Sequence, residues 1–74
     1  MQTEKTGIEL AIDAAGSQEL LAKSLGCTQQ NISFWKTQGY VPLLRAVEIE
    51  SITGVKRLEL VDPRFVDVIA PDSF

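Results

Sequence analysis

Residues 17–36 read SQELLAKSLGCTQQNISFWK, and the pattern in this stretch decides the fold. Ser17 is a residue type that caps helix N-termini, and Glu19 follows in the first turn, where the helix dipole favours an acid. Leu20, Leu21, Ala22 and Leu25 supply the buried side of this helix, and Gly26 ends it. Thr28 caps the next helix, in which Ile32 and Trp35 lie on one face while Gln29, Gln30, Ser33 and Lys36 fall largely on the other. Two short helices joined by a glycine turn have the organisation of a helix-turn-helix, whose first helix crosses the DNA backbone and whose second enters the major groove. With Gln18 as the first residue of the motif, Ala22 falls fifth, Gly26 ninth, Ile32 fifteenth and Trp35 eighteenth. Each position has a steric task. The fifth wants a small side chain where two helices touch, the ninth a residue that tolerates positive φ, and the last two apolar residues that seat the second helix.

Working outward, Ile8, Ala11, Ile12 and Ala15 recur at i, i+3, i+4 and i+7, which predicts an amphipathic helix over Gly7 to Ala15 with Gly16 as its stop. On the other side, Thr37-Gln38-Gly39-Tyr40 reads as a loop. Pro42 suits the first turn of a fourth helix running to about Thr53, for which Leu43, Ala46, Val47, Glu50 and the terminal Gly54 fit the expected signals. Lys56 to Leu60 reads as a helical turn that packs Leu58 and Val61 into the core, and Asp62-Pro63 as the cap of another. Residues 65–69 suit either a helix or a short edge strand. No repeat, linker or low-complexity segment interrupts the chain, so residues 1–74 are expected to form one domain.

An apolar fraction of 45% against 23% charged residues describes a packed core and not a disordered tail. No apolar run approaches the roughly 18 residues of a membrane span, and MQTEKTGIEL has no signal-peptide pattern, so a cytoplasmic protein is expected. Cys27 is the one cysteine and reads as a small turn residue more readily than as a redox switch. With no histidine present, no metal or other cofactor is implied. An enzyme is disfavoured for want of a nucleophile constellation, a phosphate-cradling glycine loop or room for a small-molecule substrate pocket. The net charge of −3 runs against nucleic-acid binding at first sight. Its distribution does not: residues 17–46 carry Lys23, Lys36 and Arg45 against Glu19 alone, inside an otherwise acidic protein.

From Gly16 to Gly54 the sequence GSQELLAKSLGCTQQNISFWKTQGYVPLLRAVEIESITG resembles the Cro-like and YdaS-like repressors of lambdoid phages and prophages. The likeness rests on SQELLAKSLG, on Ile-Ser-x-Trp-Lys at Ile32 to Lys36, and on Val-Pro followed by Arg-Ala-x-Glu-Ile-Glu-x-x-Thr-Gly ending at Gly54. It covers about half the chain. It implies an all-α, lambda-repressor-like DNA-binding domain of four to five helices around a central helix-turn-helix, acting as a usually dimeric transcriptional regulator. It also implies that Thr28, Gln29, Gln30, Ser33 and Phe34 occupy the base-touching places, and that Gln18 holds a phosphate. The chemistry of the amides agrees, because a glutamine offers a donor and an acceptor in one plane, matching adenine N6 and N7. Gln29 and Gln30 are therefore the expected principal readers, with Gln18 bracing Gln29 across the turn. Taken without the motif, two adjacent glutamines are ordinary solvated helix residues.

Phe34 departs from the polar residue expected at its place, and reads either as a contact to a thymine methyl or as a dimer or partner contact. Lys23, Lys36 and Arg45 are candidates for phosphate contacts or plain solvated surface. Residues 58–74 are a candidate dimerisation segment, since Phe65, Val66, Val68, Ile69 and Phe74 exceed what so small a core can use; the competing reading is a tail folded over its own domain. Two functions follow. One is a sequence-specific regulator, of repressor type, that binds double-stranded operator DNA as a homodimer or higher homo-oligomer. The other is a protein-interaction or toxin-linked module on the same scaffold, with an acidic surface for its partner.

Overall fold

The computed structural model describes residues 5–66, and its first helix, α1 (Gly7–Ala15), starts with a reciprocal cap. The Glu9 backbone N–H donates to Thr6 Oγ1 at 3.3 Å, and the Thr6 N–H donates to a Glu9 carboxylate oxygen at 2.9 Å. Two donors that the helix leaves unpaired are satisfied by side chains three residues apart. The remaining helices are α2 (Gln18–Leu25), α3 (Gln29–Gln38), α4 (Leu43–Thr53) and α5 (Arg57–Leu60), with a 3-10 turn at Pro63–Phe65. No strand occurs among the described residues, and the fold is all-α as expected. Of the stretch left open between helix and strand, Phe65 closes the 3-10 turn and Val66 follows it; Asp67, Val68 and Ile69 lie outside the described residues.

Helix α1 touches every other helix and is the centre of the packing. Its Ile8 and Ala11 share one core cluster with Leu21 and Ala22 of α2, Ile32 and Trp35 of α3, Ala46 and Ile49 of α4, Leu60 and Val61 at the end of α5, and Val41 between α3 and α4. Six of these side chains, Ile8, Leu21, Ile32, Val41, Ile49 and Leu60, are almost wholly removed from water. Each contributes on the order of 1.5–3 kcal/mol of hydrophobic stabilisation. The Val41 N–H donates to the Leu60 carbonyl at 2.8 Å, tying the α3–α4 corner to the end of α5.

The structure corrects several details. Thr37 and Gln38 belong to α3 and not to a loop; the helix runs on until Gly39, whose φ of 96° ends it. Pro42 is the N-cap of α4 and not its first helical residue, because its ψ of 152° is still extended. Within α4 the buried pair is Ala46 and Ile49, three residues apart, while Leu43 and Val47 are turned outward and Glu50 pairs with Arg57 at 2.6 Å. Leu20 is exposed because the core stripe of α2 passes through Leu21, Ala22 and Leu25. In α5 it is Leu60, and not Leu58, that enters the core, since its carbonyl is fixed by Val41.

Candidate nucleic-acid interface

The interface is built on the α2–α3 corner. Ser17 Oγ accepts from the Leu20 N–H at 3.1 Å, which starts α2, and Gly26 ends it in the left-handed region at φ 70°, ψ 30°. The Cys27 N–H donates to the Ala22 carbonyl at 3.0 Å, closing the turn. Thr28 Oγ1 then accepts from the Asn31 N–H at 3.2 Å and launches α3 in a new direction. The four steric expectations hold: Ala22 is buried at the helix contact, Gly26 has positive φ, and Ile32 and Trp35, the latter 6% exposed, are sunk into the core. Seating α3 on those two side chains turns its opposite face to solvent.

On that face stand Gln29, Gln30, Ser33 and Phe34, all exposed, with Thr28 at its start. Thr37 joins them, one turn beyond Ser33, and is a residue that the sequence reading left out. The signal was available: Gly39 is a better helix stop than Thr37, and extending the helix by two residues places Thr37 at i+4 from Ser33. Helix α3 carries no acidic residue, and Lys36 in its last turn is its only charged group. In a chain of net charge −3, α3 adds no carboxylate to this outward face.

Gln18 differs from expectation in its partner. Its side-chain amide donates to Ser33 Oγ at 3.2 Å, so the brace across the turn reaches the second turn of α3 and not Gln29. Arg45 is also placed differently. Its Nη1 donates to the Leu25 carbonyl at 3.2 Å and to Glu48 at 2.9 Å, so the guanidinium clamps α4 onto the C-terminal end of α2, where unpaired carbonyls favour a cation. Lys23 and Lys36 are exposed and make no ion pair among the described residues. Phe34 is 62% exposed, with its ring at the surface beside Gln30 and Ser33 in the helical order.

Away from α3, the described residues contain no group of three or more His, Cys, Asp or Glu side chains that can hold a metal ion, and no helix long and apolar enough to cross a membrane. Cys27 is half-buried and packs against the core. Asp62 accepts from both the backbone and the guanidinium of Arg64, at 3.0 Å and 2.6 Å, and these bonds hold its carboxyl below its ordinary pKa.

Residues 8–62 match the family described as "Bacterial toxin YdaS". Among solved structures the chain is similar to the Cro protein from the prophage element Xfaso 1 in Xylella fastidiosa strain Ann-1. The identity is 35%, the match covers 93% of this chain and 95% of that one, and the TM-score is 0.65. No curated protein matches the chain in sequence.

Proposed function

The chain belongs to the YdaS family and has a Cro-like fold, and from that premise we propose that it is a sequence-specific DNA-binding transcriptional regulator, a Cro-type repressor of a phage or prophage operator. The observation that carries this reading is the acid-free outward face of α3, on which Gln29, Gln30, Ser33, Phe34 and Thr37 follow one another at helical spacing. Such a face set in a major groove offers amides to adenine, hydroxyls to bases of either kind and an aromatic edge to a thymine methyl. Lys23 and Lys36 supply phosphate contacts that fix register without reading sequence. Arg45 supports the site from behind by holding α4 against α2.

The repressor acts in the cytoplasm as a homodimer on a palindromic operator, its two-fold matched to that of the DNA. The described part of the expected dimerisation segment supports self-association by exposing Leu58 and Phe65; residues 67–74 of that segment lie outside the described residues. The test is a titration of the purified protein against duplex DNA from the region beside its own gene and against scrambled DNA, with a Gln29→Ala, Gln30→Ala double variant alongside. Preferential binding to the native region, reduced by about 1–3 kcal/mol for each reading amide lost and unchanged on scrambled DNA, is expected. Equal binding to both duplexes by the unaltered protein contradicts the proposal.

A second reading has its own observation. Leu43, Leu44 and Val47 form a short exposed apolar row on the first two turns of α4, with Leu44 79% exposed. A protein-interaction module built on this scaffold would use that row for its partner, and loss of binding there without any effect on DNA would favour it.

A further inference from the structure

Gln18 and Ser33 are exposed or half-exposed groups on different helices, joined through the 3.2 Å bond from Gln18 Nε2 to Ser33 Oγ. A glutamine amide nitrogen has two N–H donors, and this bond uses one. A serine hydroxyl that accepts still holds its own proton, and accepting polarises that O–H into a better donor. The Gln18 bond is the one hydrogen bond made by the Ser33 side chain among the described residues, so the hydroxyl proton is not spent on the helix's own carbonyls. The pair therefore presents two donors side by side. Ser33 also lies at i+4 from Gln29 and i+3 from Gln30, one turn along the same outward face of α3.

In the major groove guanine shows two adjacent acceptors, N7 and O6, whereas adenine sets its acceptor beside an amino group, thymine offers one acceptor beside a methyl, and cytosine an amino donor. We propose that Gln18 and Ser33 act together as a bidentate reader of guanine, with Gln18 delivering a donor to the base from α2. This rests on the proposed entry of α3 into the major groove, and it gives the operator a guanine next to the base pairs read by the Gln29 and Gln30 amides. Gln18 then both positions the Ser33 hydroxyl and touches the base itself.

The experiment is selection of binding sites from random duplexes by the full chain and by the Ser33→Ala, Ser33→Thr and Gln18→Glu variants, each checked for folding by its circular-dichroism melt. The unaltered protein is expected to select one guanine per half-site that Ser33→Thr retains. Ser33→Ala is expected to lose discrimination at that position alone, by a factor on the order of 5 to 150. Gln18→Glu replaces the amide donors with a carboxylate that accepts, and is expected to exchange the guanine for a base that shows an amino group. Replacing that guanine with 7-deazaguanine, which removes one of the two acceptors, is expected to weaken the unaltered protein at that position. Uniform weakening of Ser33→Ala on every sequence would mean a phosphate contact and overturn the proposal. An adenine signature that depends on Gln29 and Gln30, without any guanine that depends on Ser33, overturns this inference and leaves the regulator reading standing. Selection of no sequence at all by the unaltered protein overturns both.

Discussion

Phe34 and Asp62 show how differently single residues spend their exposure. Phe34 stands in a row of polar side chains with its ring in solvent, so its removal takes little from the core. Phe34→Ala is expected to shift the denaturation midpoint by an amount within about 0.5 kcal/mol of the unaltered protein, while lowering operator affinity and selectivity at a thymine. A large loss of stability in urea titration would place the ring in packing instead. Asp62 is buried as a residue and bonded to the exposed Arg64, which lowers its pKa through the side-chain bond first and the backbone bond second. Its folded-state pKa lies below the unfolded value. The contact therefore stabilises the fold fully above the ordinary carboxylate range, and that contribution is lost as the pH falls through the depressed pKa. Melts of the unaltered protein and Arg64→Ala are expected to differ near neutrality and to converge on acidification; a difference that persists in strong acid would assign the effect to packing of the Arg64 stem. Arg45 shows what sequence alone leaves out at this scale. A basic residue in a mildly basic segment reads as a phosphate contact or as solvated surface, and only the fold shows the Leu25 carbonyl that receives it.

At the scale of elements, two glycines hold the helices in place for opposite reasons. Gly26 has open space around it but a φ of 70°, and Gly7 has ordinary helical backbone but sits so close to α5 that an added Cβ would clash with the Glu59 carbonyl oxygen. Gly26→Ala is expected to cost about 1–2 kcal/mol, the penalty for an L-residue in the left-handed region, and Gly26→Asn less. Gly7→Ala would gain helix propensity of about 1 kcal/mol yet is expected to destabilise on balance, because its clash is with backbone that cannot rotate away and overpacking costs about 1–3 kcal/mol or more. Urea titration of the three variants checks both statements; a stabilised Gly7→Ala would mean that α5 can shift. The start of α1 was legible in the apolar period that begins at Ile8, and that of α3 in Thr28, whereas the Thr6–Glu9 cap that fixes the first turn of α1 came from the structure. The end of α3 was misplaced by two residues because Thr37 and Gln38 have no strong preference of their own, and the stop belongs to Gly39.

The molecule is acidic overall while helix α3 carries no acid, and this sets its behaviour toward a polyanion. On the proposed reading, with Lys23 and Lys36 contacting phosphates, each subunit is expected to release few counterions. The slope of log K against log salt should be near −2 per subunit, following about −0.9 per phosphate, and Lys36→Ala should reduce it by about 1. A slope several times steeper would require cationic contacts beyond these two residues. A chain of this length buries only about 60% of its unfolded surface, which makes the apolar rows left outside, Leu43 and Leu44 on α4 and Leu58 and Phe65 near the C-terminal side, natural places for further burial by association. Sequence by itself determined the helical class, the corner between α2 and α3 and the residues seated in the core beneath it. These follow from local rules of capping, glycine conformation and apolar period, which act within a few residues. Only the tertiary structure decided which leucine of α5 enters the core, which carbonyl receives Arg45 and which side chain receives Gln18. Each of those contacts joins groups distant in sequence, and its partner is selected by how α1 gathers the other helices around it.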